Sequence, residues 1–125
     1  SAEIENLTLS GTTAINGTGN SLANVITGNA SANTLLGLAG NDTLNGSGGN
    51  DVLDGGADSD TLDGGAGNDQ LFGGAASDTL RGSAGTDTIV GGTGKDTLTG
   101  GTEADVFRFA FGDTTLHTNL DRITD

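Results

Sequence analysis

The chain of 125 residues has no cysteine, proline, methionine, tryptophan or tyrosine, and its only aromatic residues are four phenylalanines. Without cysteine there is no disulfide framework, so a small extracellular domain would need another staple, and a metal is the obvious candidate. Without bulky aromatics a conventional core is thin, and the length allows one domain at most. Cations are scarce too: 4 Lys and Arg stand against 17 Asp and Glu, a formal net charge of −13. Such a chain repels nucleic-acid phosphates. No apolar run reaches the ~18 residues of a membrane-spanning helix, and no charged n-region precedes an apolar h-region. The sequence starts at Ser1 and stops in "DRITD", which reads as an unfinished strand, so a piece of something longer is expected.

Glycine is abundant, and it is periodic. Gly19, Gly28, Gly37, Gly46, Gly55, Gly64, Gly73, Gly82, Gly91 and Gly100 recur every nine residues without a slip. An apolar residue keeps the same beat: Ile26, Leu35, Leu44, Leu53, Leu62, Leu71, Leu80, Ile89, Leu98 and Phe107. Two places before each of these stands Asn24, Asn33, Asp42, Asp51, Asp60, Asp69, Asp78, Asp87, Asp96 or Asp105. The consensus is G-G-x-G-x-D-x-L-x, with "GGAGNDQLF" at 64–72 as a full example. The second glycine is replaced by Leu38, Ser47 and Ser83, and the glycine at the fourth position by Asp58, Ala76 and Glu103.

Over residues 19–108 this pattern resembles the RTX (hemolysin-type) calcium-binding repeat family. The resemblance implies an all-β fold, a right-handed parallel β-roll of about five 18-residue coils. Residues 1–18 are expected to supply capping strands, 19–108 ten repeats, and 109–125 a truncated C-terminal cap. Each unit reads as a six-residue turn rich in Gly, Asn and Asp followed by a three-residue strand such as Thr61-Leu62-Asp63. Side chains alternate along a strand, so Leu62 points in while Thr61 and Asp63 point out. Two units complete a coil, and residue i stacks on residue i+18 at about 4.8 Å.

Stacking creates two columns of carboxylates, Asp42, Asp60, Asp78 and Asp96 in one and Asp51, Asp69, Asp87 and Asp105 in the other. Two carboxylates about 5 Å apart repel by about 3 kcal/mol at an effective dielectric of 20, so a cation is needed between them. A flexible all-oxygen cage suits calcium better than magnesium, and zinc would want His or Cys, of which the chain has one His and no Cys. In the family the ion lies between turns, held by the Asp of the sixth position and by turn carbonyls. The resemblance therefore implies these eight Asp as ligands. It adds carbonyls around Gly46, Gly55, Gly56, Gly64, Gly65, Gly67, Gly73, Gly74, Gly82, Gly91 and Gly92. Asn24 and Asn33 bring no charge, and sites built on them should be weak or empty. Vertical Asp pairs give about six calcium ions, up to eight with the Asn positions, and six ions nearly cancel the net charge of −13. Asp54, Asp58 and Asp63 fall outside the ligand position and read as solvated.

Other readings are a metal-free glycine-rich solenoid, compositional disorder that persists even with metal, and an ice-binding face built on the ladder Thr43, Thr61, Thr79 and Thr97. Against the last, the adjoining column is Asn45, Asp63, Arg81 and Thr99 rather than more Thr. His117 and Lys95 have no nucleophile or partner at a suggestive spacing, so no enzymatic activity is expected. At the ends, Ile4, Leu7, Leu9 and Ile15 alternate with small polar residues, and the frame shifts by two residues at "NGTG". Phe107, Phe109 and Phe111 fall on one side of a final strand. "LDRITD" is similar to the segment that follows such arrays in secreted proteases, lipases and epimerases.

The resemblance implies a bacterial, extracellular protein exported by a type I system, in which the repeats fold on meeting calcium and assist secretion of a larger parent. An adhesion or substrate-binding module of a secreted adhesin or polysaccharide-modifying enzyme is the alternative. An apolar stripe of Leu36, Val52, Phe72, Val90 and Val106 suggests docking to another domain of the parent, or to a second copy.

Overall fold

The computed structural model describes residues 5–109 and 121–124, and every helix or strand among them is a strand. One parallel sheet is built from β1 (Asn6–Thr8), β3 (Val25–Thr27), β5 (Thr43–Asn45), β7 (Thr61–Ala66), β9 (Thr79–Ala84), β11 (Thr97–Thr102) and β13 (Arg122–Thr124), in that order. The other runs β12 (Val106–Arg108), β10 (Thr88–Thr93), β8 (Gln70–Ala75), β6 (Val52–Ala57), β4 (Thr34–Ala39), β2 (Gly17–Thr18). The chain alternates between the sheets, so each pair of repeats makes one turn of a parallel β-solenoid. There are about 6 turns of 18 residues, against the five expected, because β1, β2 and β13 join the same ladders.

One residue in nine fills the space between the sheets. Ile26, Leu44, Leu62, Leu80 and Leu98 face Leu35, Leu53, Leu71 and Ile89, and all nine are 0–1% exposed. Each stacks in register on the residue 18 positions on, as in Leu44↔Leu62 and Leu53↔Leu71. Burying one Leu or Ile contributes about 1.5–3 kcal/mol, so the apolar seam is modest and the turns must hold themselves.

The strands are longer than the three residues expected. Most run six, since successive coils superpose and the ladder continues through the glycines, as in Gly56↔Gly74 and Ala57↔Ala75. Two backbone positions in each repeat from Gly37 onward take a left-handed φ. All six non-glycine residues that do so are the consensus replacements, Leu38 (86°), Ser47 (75°), Asp58 (75°), Ala76 (85°), Ser83 (81°) and Glu103 (75°).

The ends depart from expectation in detail. Leu7 pairs with Ile26, 19 residues on, whereas Gly17 pairs with Leu35 at the regular 18, so the frame shift is a single residue. Gly17 therefore occupies the core slot. A Cβ there would lie 3.0–3.3 Å from Ile26, Leu7 and Leu35, whose side chains fill it instead. Of the apolar residues in the N-terminal segment, Ile15 is 36% exposed, while Leu9 is buried. Phe107 stacks on Ile89 and packs against the core, but Phe109 is 53% exposed. Ile4, Phe111 and His117 lie outside the described residues.

On the outer faces the threonine ladder Thr43, Thr61, Thr79, Thr97 is in register. On the opposite sheet Leu36, Phe72 and Val90 share a column, but Asp54 stands between Leu36 and Phe72. Gln70 likewise separates Val52 from the upper part of its column. No helix among the described residues is long and apolar enough to cross a membrane.

Candidate metal centre

The sixth position of each repeat follows the turn and precedes the strand, so its side chain is carried inward at the corner of the coil. Asp42, Asp51, Asp60, Asp69, Asp78, Asp87 and Asp96 are all 0–2% exposed. Aspartate is almost never buried to this degree without compensation. Part of the compensation comes from the neighbouring coil. The N–H of Asp42 donates to Asp60 Oδ1 (2.7 Å), that of Asp60 to Asp78 Oδ1 (2.8 Å), and that of Asp78 to Asp96 Oδ1 (2.9 Å). In the second column Asp51, Asp69 and Asp87 donate in the same way to Asp69, Asp87 and Asp105 at 2.7–2.9 Å. Both predicted columns are thus assembled.

Backbone carbonyls of these residues are also committed, since each accepts from the strand above, as in Thr79 N–H to Asp60 O at 2.9 Å. What remains is the second carboxylate oxygen. Oδ2 of Asp42, Asp51, Asp60, Asp69, Asp78 and Asp87 is buried and accepts no hydrogen bond. Leaving a charged acceptor buried and unmatched is costly.

Each such oxygen borders a notch over the first glycine of its own repeat. A Cβ on Gly64 would lie 2.5 Å from Asp69 Oδ2 and 2.9 Å from the carbonyl oxygen of Gly82. At Gly55 the corresponding neighbours are Asp60 Oδ2 and Gly73 O, and at Gly73 they are Asp78 Oδ2 and Gly91 O. This explains why the first glycine never varies across ten repeats while the second and fourth do, although only the latter need a left-handed φ. The first position must lack a side chain because oxygens occupy its place. The carbonyls of Gly55, Gly64, Gly73, Gly82 and Gly91 lie at such notches, that of Gly46 lies beside Asn33 Oδ1 instead, and those of Gly56, Gly67 and Gly74 face the same turn position of the next coil.

Electrostatics agree with this geometry. Burial, foremost, and the charges of neighbouring carboxylates push Asp60, Asp69 and Asp78 up to about 6, against hydrogen bonds from the backbone that act the other way. Asp42, Asp51 and Asp87 are raised for the same leading reason. Ionised at neutral pH, the stack needs positive charge. Among the described residues, nowhere do three acidic or imidazole side chains converge as a metal-binding group. A cation here would meet carboxylate oxygens from stacked turns plus backbone carbonyls, a hard, all-oxygen and geometrically tolerant donor set that fits calcium.

The two asparagines behave differently. Asn24 Oδ1 accepts from Asn20 N–H (2.7 Å) and Asn33 Oδ1 from Asn29 N–H (2.8 Å). Asn33 Nδ2 donates to Ile15 O (2.7 Å) and to Asn29 Oδ1 (3.2 Å). An amide carries its own donor, so these turns close by hydrogen bonding where the Asp turns present an unmatched oxygen. One member of the column was missed from the sequence. Asp121 Oδ1 accepts from Asp96 N–H at 3.0 Å, and Leu98 pairs with Ile123. "DRIT" is thus a displaced D-x-L-x, recognisable by its pattern but 25 rather than 18 residues on.

Comparison with known families gives a consistent result. The model of the RTX calcium-binding nonapeptide repeat matches in four copies, over residues 18–53, 45–80, 54–89 and 81–116. No curated protein and no solved structure matches the chain. The family match spans well over half of the sequence, in phase with the buried aspartates and their carbonyl-lined notches, and the chain belongs to the RTX calcium-binding nonapeptide-repeat family.

Proposed function

We propose that this chain is a calcium-driven folding module of a larger bacterial protein secreted through a type I system, disordered where calcium is scarce and ordered outside the cell. The observation that carries the reading is the row of buried Asp Oδ2 atoms without hydrogen-bond partners. Asp42, Asp51, Asp60, Asp69, Asp78, Asp87, Asp96 and Asp105 are the carboxylate ligands, with first-glycine and turn carbonyls completing each shell, and about six ions fill the stacked Asp pairs. Metal binding here is folding energy, because the cage exists only when adjacent coils are stacked. Bound calcium would supply the positive charge that the columns lack. The chain's own residues position the oxygens, exclude side chains from the notches and seal the corner with Leu and Ile. No role in catalysis is assigned to the module.

Residues 1–18 and 109–125 serve as end caps in this reading, which protects the open ends of the solenoid. The sheet of β2, β4, β6, β8, β10 and β12 supplies a docking face for another domain of the parent or a second copy. Its support is a depression in which Phe72 and Val90 sit side by side, flanked by Gln70, Thr88 and Arg108. The test of the main reading is a circular dichroism titration of the metal-stripped chain with calcium. A cooperative rise in β signal that magnesium does not reproduce is expected; full β structure in excess chelator at neutral pH would sink it.

A further inference from the structure

Two turns carry an acid where the repeat asks for a fourth-position glycine. Asp58 and Glu103 both hold φ at 75°, a conformation that glycine adopts freely and that costs other residues. Each side chain reaches across to the turn 18 residues earlier. Asp58 Oδ2 accepts from Gly40 N–H at 3.1 Å, and Glu103 Oε2 accepts from Gly85 N–H at 2.8 Å and from Thr102 Oγ1 at 2.7 Å. The gap that Asp58 bridges is the one between the turns of Asp42 and Asp60. Glu103 bridges the gap between those of Asp87 and Asp105.

Each gap already holds a buried oxygen without a partner, Asp42 Oδ2 beside Gly55 O in one and Asp87 Oδ2 beside Gly100 O in the other, on side chains 0–2% exposed. Burial is the main reason those carboxyls are raised, yet the charge of Asp58 adds to the shift of Asp42 and Asp60, and that of Glu103 to Asp87. The inner carboxylates therefore feel the charge of the outer ones. They do not converge with them into a three-carboxylate cluster, so they act from the rim as charge and as clamps between the turns. Asp58 is more than the solvated residue its position in the repeat suggests.

We propose that Asp58 and Glu103 set the order of calcium loading, making the Asp42–Asp60 and Asp87–Asp105 gaps the two tightest sites of the array, one in each column. The proposal rests on the calcium reading above. It predicts two classes of site, with two ions held tightly by the rim acids and the remainder more weakly.

The experiment is a chelator-competition calcium titration, by calorimetry, of the full chain and of Asp58→Asn, Glu103→Gln and Asp54→Asn. Asparagine tolerates the left-handed φ and keeps an acceptor for Gly40, so the first variant removes charge alone. In the parent chain a tight class of two ions is expected. Asp58→Asn and Glu103→Gln should each move one ion to the weaker class, a loss on the order of tenfold, the scale of one carboxylate facing a divalent ion across a partly solvated gap. Asp54→Asn should leave the isotherm unchanged. Asp58→Gly separates the roles further: if Asp58 is only a strained substitute, glycine tightens calcium binding, whereas the proposal requires weakening. Superimposable or tighter isotherms for Asp58→Asn and Glu103→Gln, or failure of either variant to regain full β signal at saturating calcium, overturn the proposal while leaving the calcium reading intact. A parent chain that binds no calcium overturns both.

Discussion

The backbone N–H of Asp60 donates to Oδ1 of Asp78, 18 residues further on, at 2.8 Å, and leaves Asp78 Oδ2 buried without a partner. One oxygen of the Asp78 carboxylate thus ties two coils together, and the other is buried without a donor. Each central aspartate therefore affects two inter-coil gaps.

That shared position gives a first prediction. Asp69→Ala removes both an acceptor for Asp51 N–H and a charged oxygen from a buried column. Asp63→Ala removes a half-buried outer carboxylate whose partner is Ser83 Oγ at 2.7 Å. The calcium midpoint for β-structure formation should rise by roughly tenfold or more for Asp69→Ala, the scale of one lost charge-assisted interaction, and by less than about twofold for Asp63→Ala. Equal shifts would mean that the assigned register is wrong.

The first glycine of each repeat is the second place to probe. In Gly64→Ala the new Cβ would lie 2.5 Å from Asp69 Oδ2 and 2.9 Å from Gly82 O, so the notch closes or the turns part. At Gly48 the nearest atoms to a Cβ are 3.7 and 3.9 Å away and φ is not left-handed, so Gly48→Ala is the matched control. Calcium-dependent folding should be lost or need far more calcium in the first variant and be nearly unchanged in the second, as read by the same titration.

Much of this was legible in the sequence because the repeat is its own register marker. The nine-residue spacing puts Leu62 in the core and Asp60 at the corner, and both are found there, 1% and 2% exposed. What escaped depends on neighbours in other strands. Gly17 fills a core slot because side chains from three other strands converge on it, while Ile15, more apolar, lies outside. Asp121 takes its place in the column through β13 pairing with β11, which no local pattern fixes. Strand length was underestimated because left-handed glycines read locally as turns, although stacked on identical turns they continue the ladder.

Replacing strained residues should stabilise the fold. Ala76 sits at φ 85° in a glycine position and makes no compensating side-chain hydrogen bond, as an alanine cannot. Ala76→Gly relieves the left-handed strain, partly offset by the greater backbone entropy of glycine in the unfolded chain, for a net gain of about 0.5–1 kcal/mol. Urea unfolding at saturating calcium should show a higher midpoint with an unchanged slope; a lower midpoint would show that the turn is not strained.

The outer face offers a fourth test. Phe72 and Val90 are paired neighbours on β8 and β10, half-buried, beside Arg108. If this face docks a second copy, Phe72→Ser should lower the apparent mass by light scattering in saturating calcium. Should it dock a domain of the parent, the same change should expose the junction to proteolysis in the full-length protein. Unchanged behaviour in both assays would mark the face as ordinary surface.

The last prediction concerns pH in the absence of metal. Asp60, Asp69 and Asp78 are held at about 6 in the folded chain, above their ordinary value of 3.8, chiefly by burial. The folded state therefore binds protons more tightly than the unfolded one, and its stability falls as pH rises between these values. The contribution is fully present below about 3.8 and is lost as pH climbs through 6. Metal-stripped protein should accordingly gain β structure on acidification from pH 7 through 6, as protons replace the missing cations on Oδ2. Calcium binding needs the ionised carboxylates, so the calcium midpoint should rise over the same interval. Circular dichroism of the stripped chain against pH, with and without saturating calcium, should give curves that converge on the acid side and separate above pH 6. A stripped chain that loses β structure on going from pH 7 to 5 would show that the buried columns are not the source of the calcium requirement.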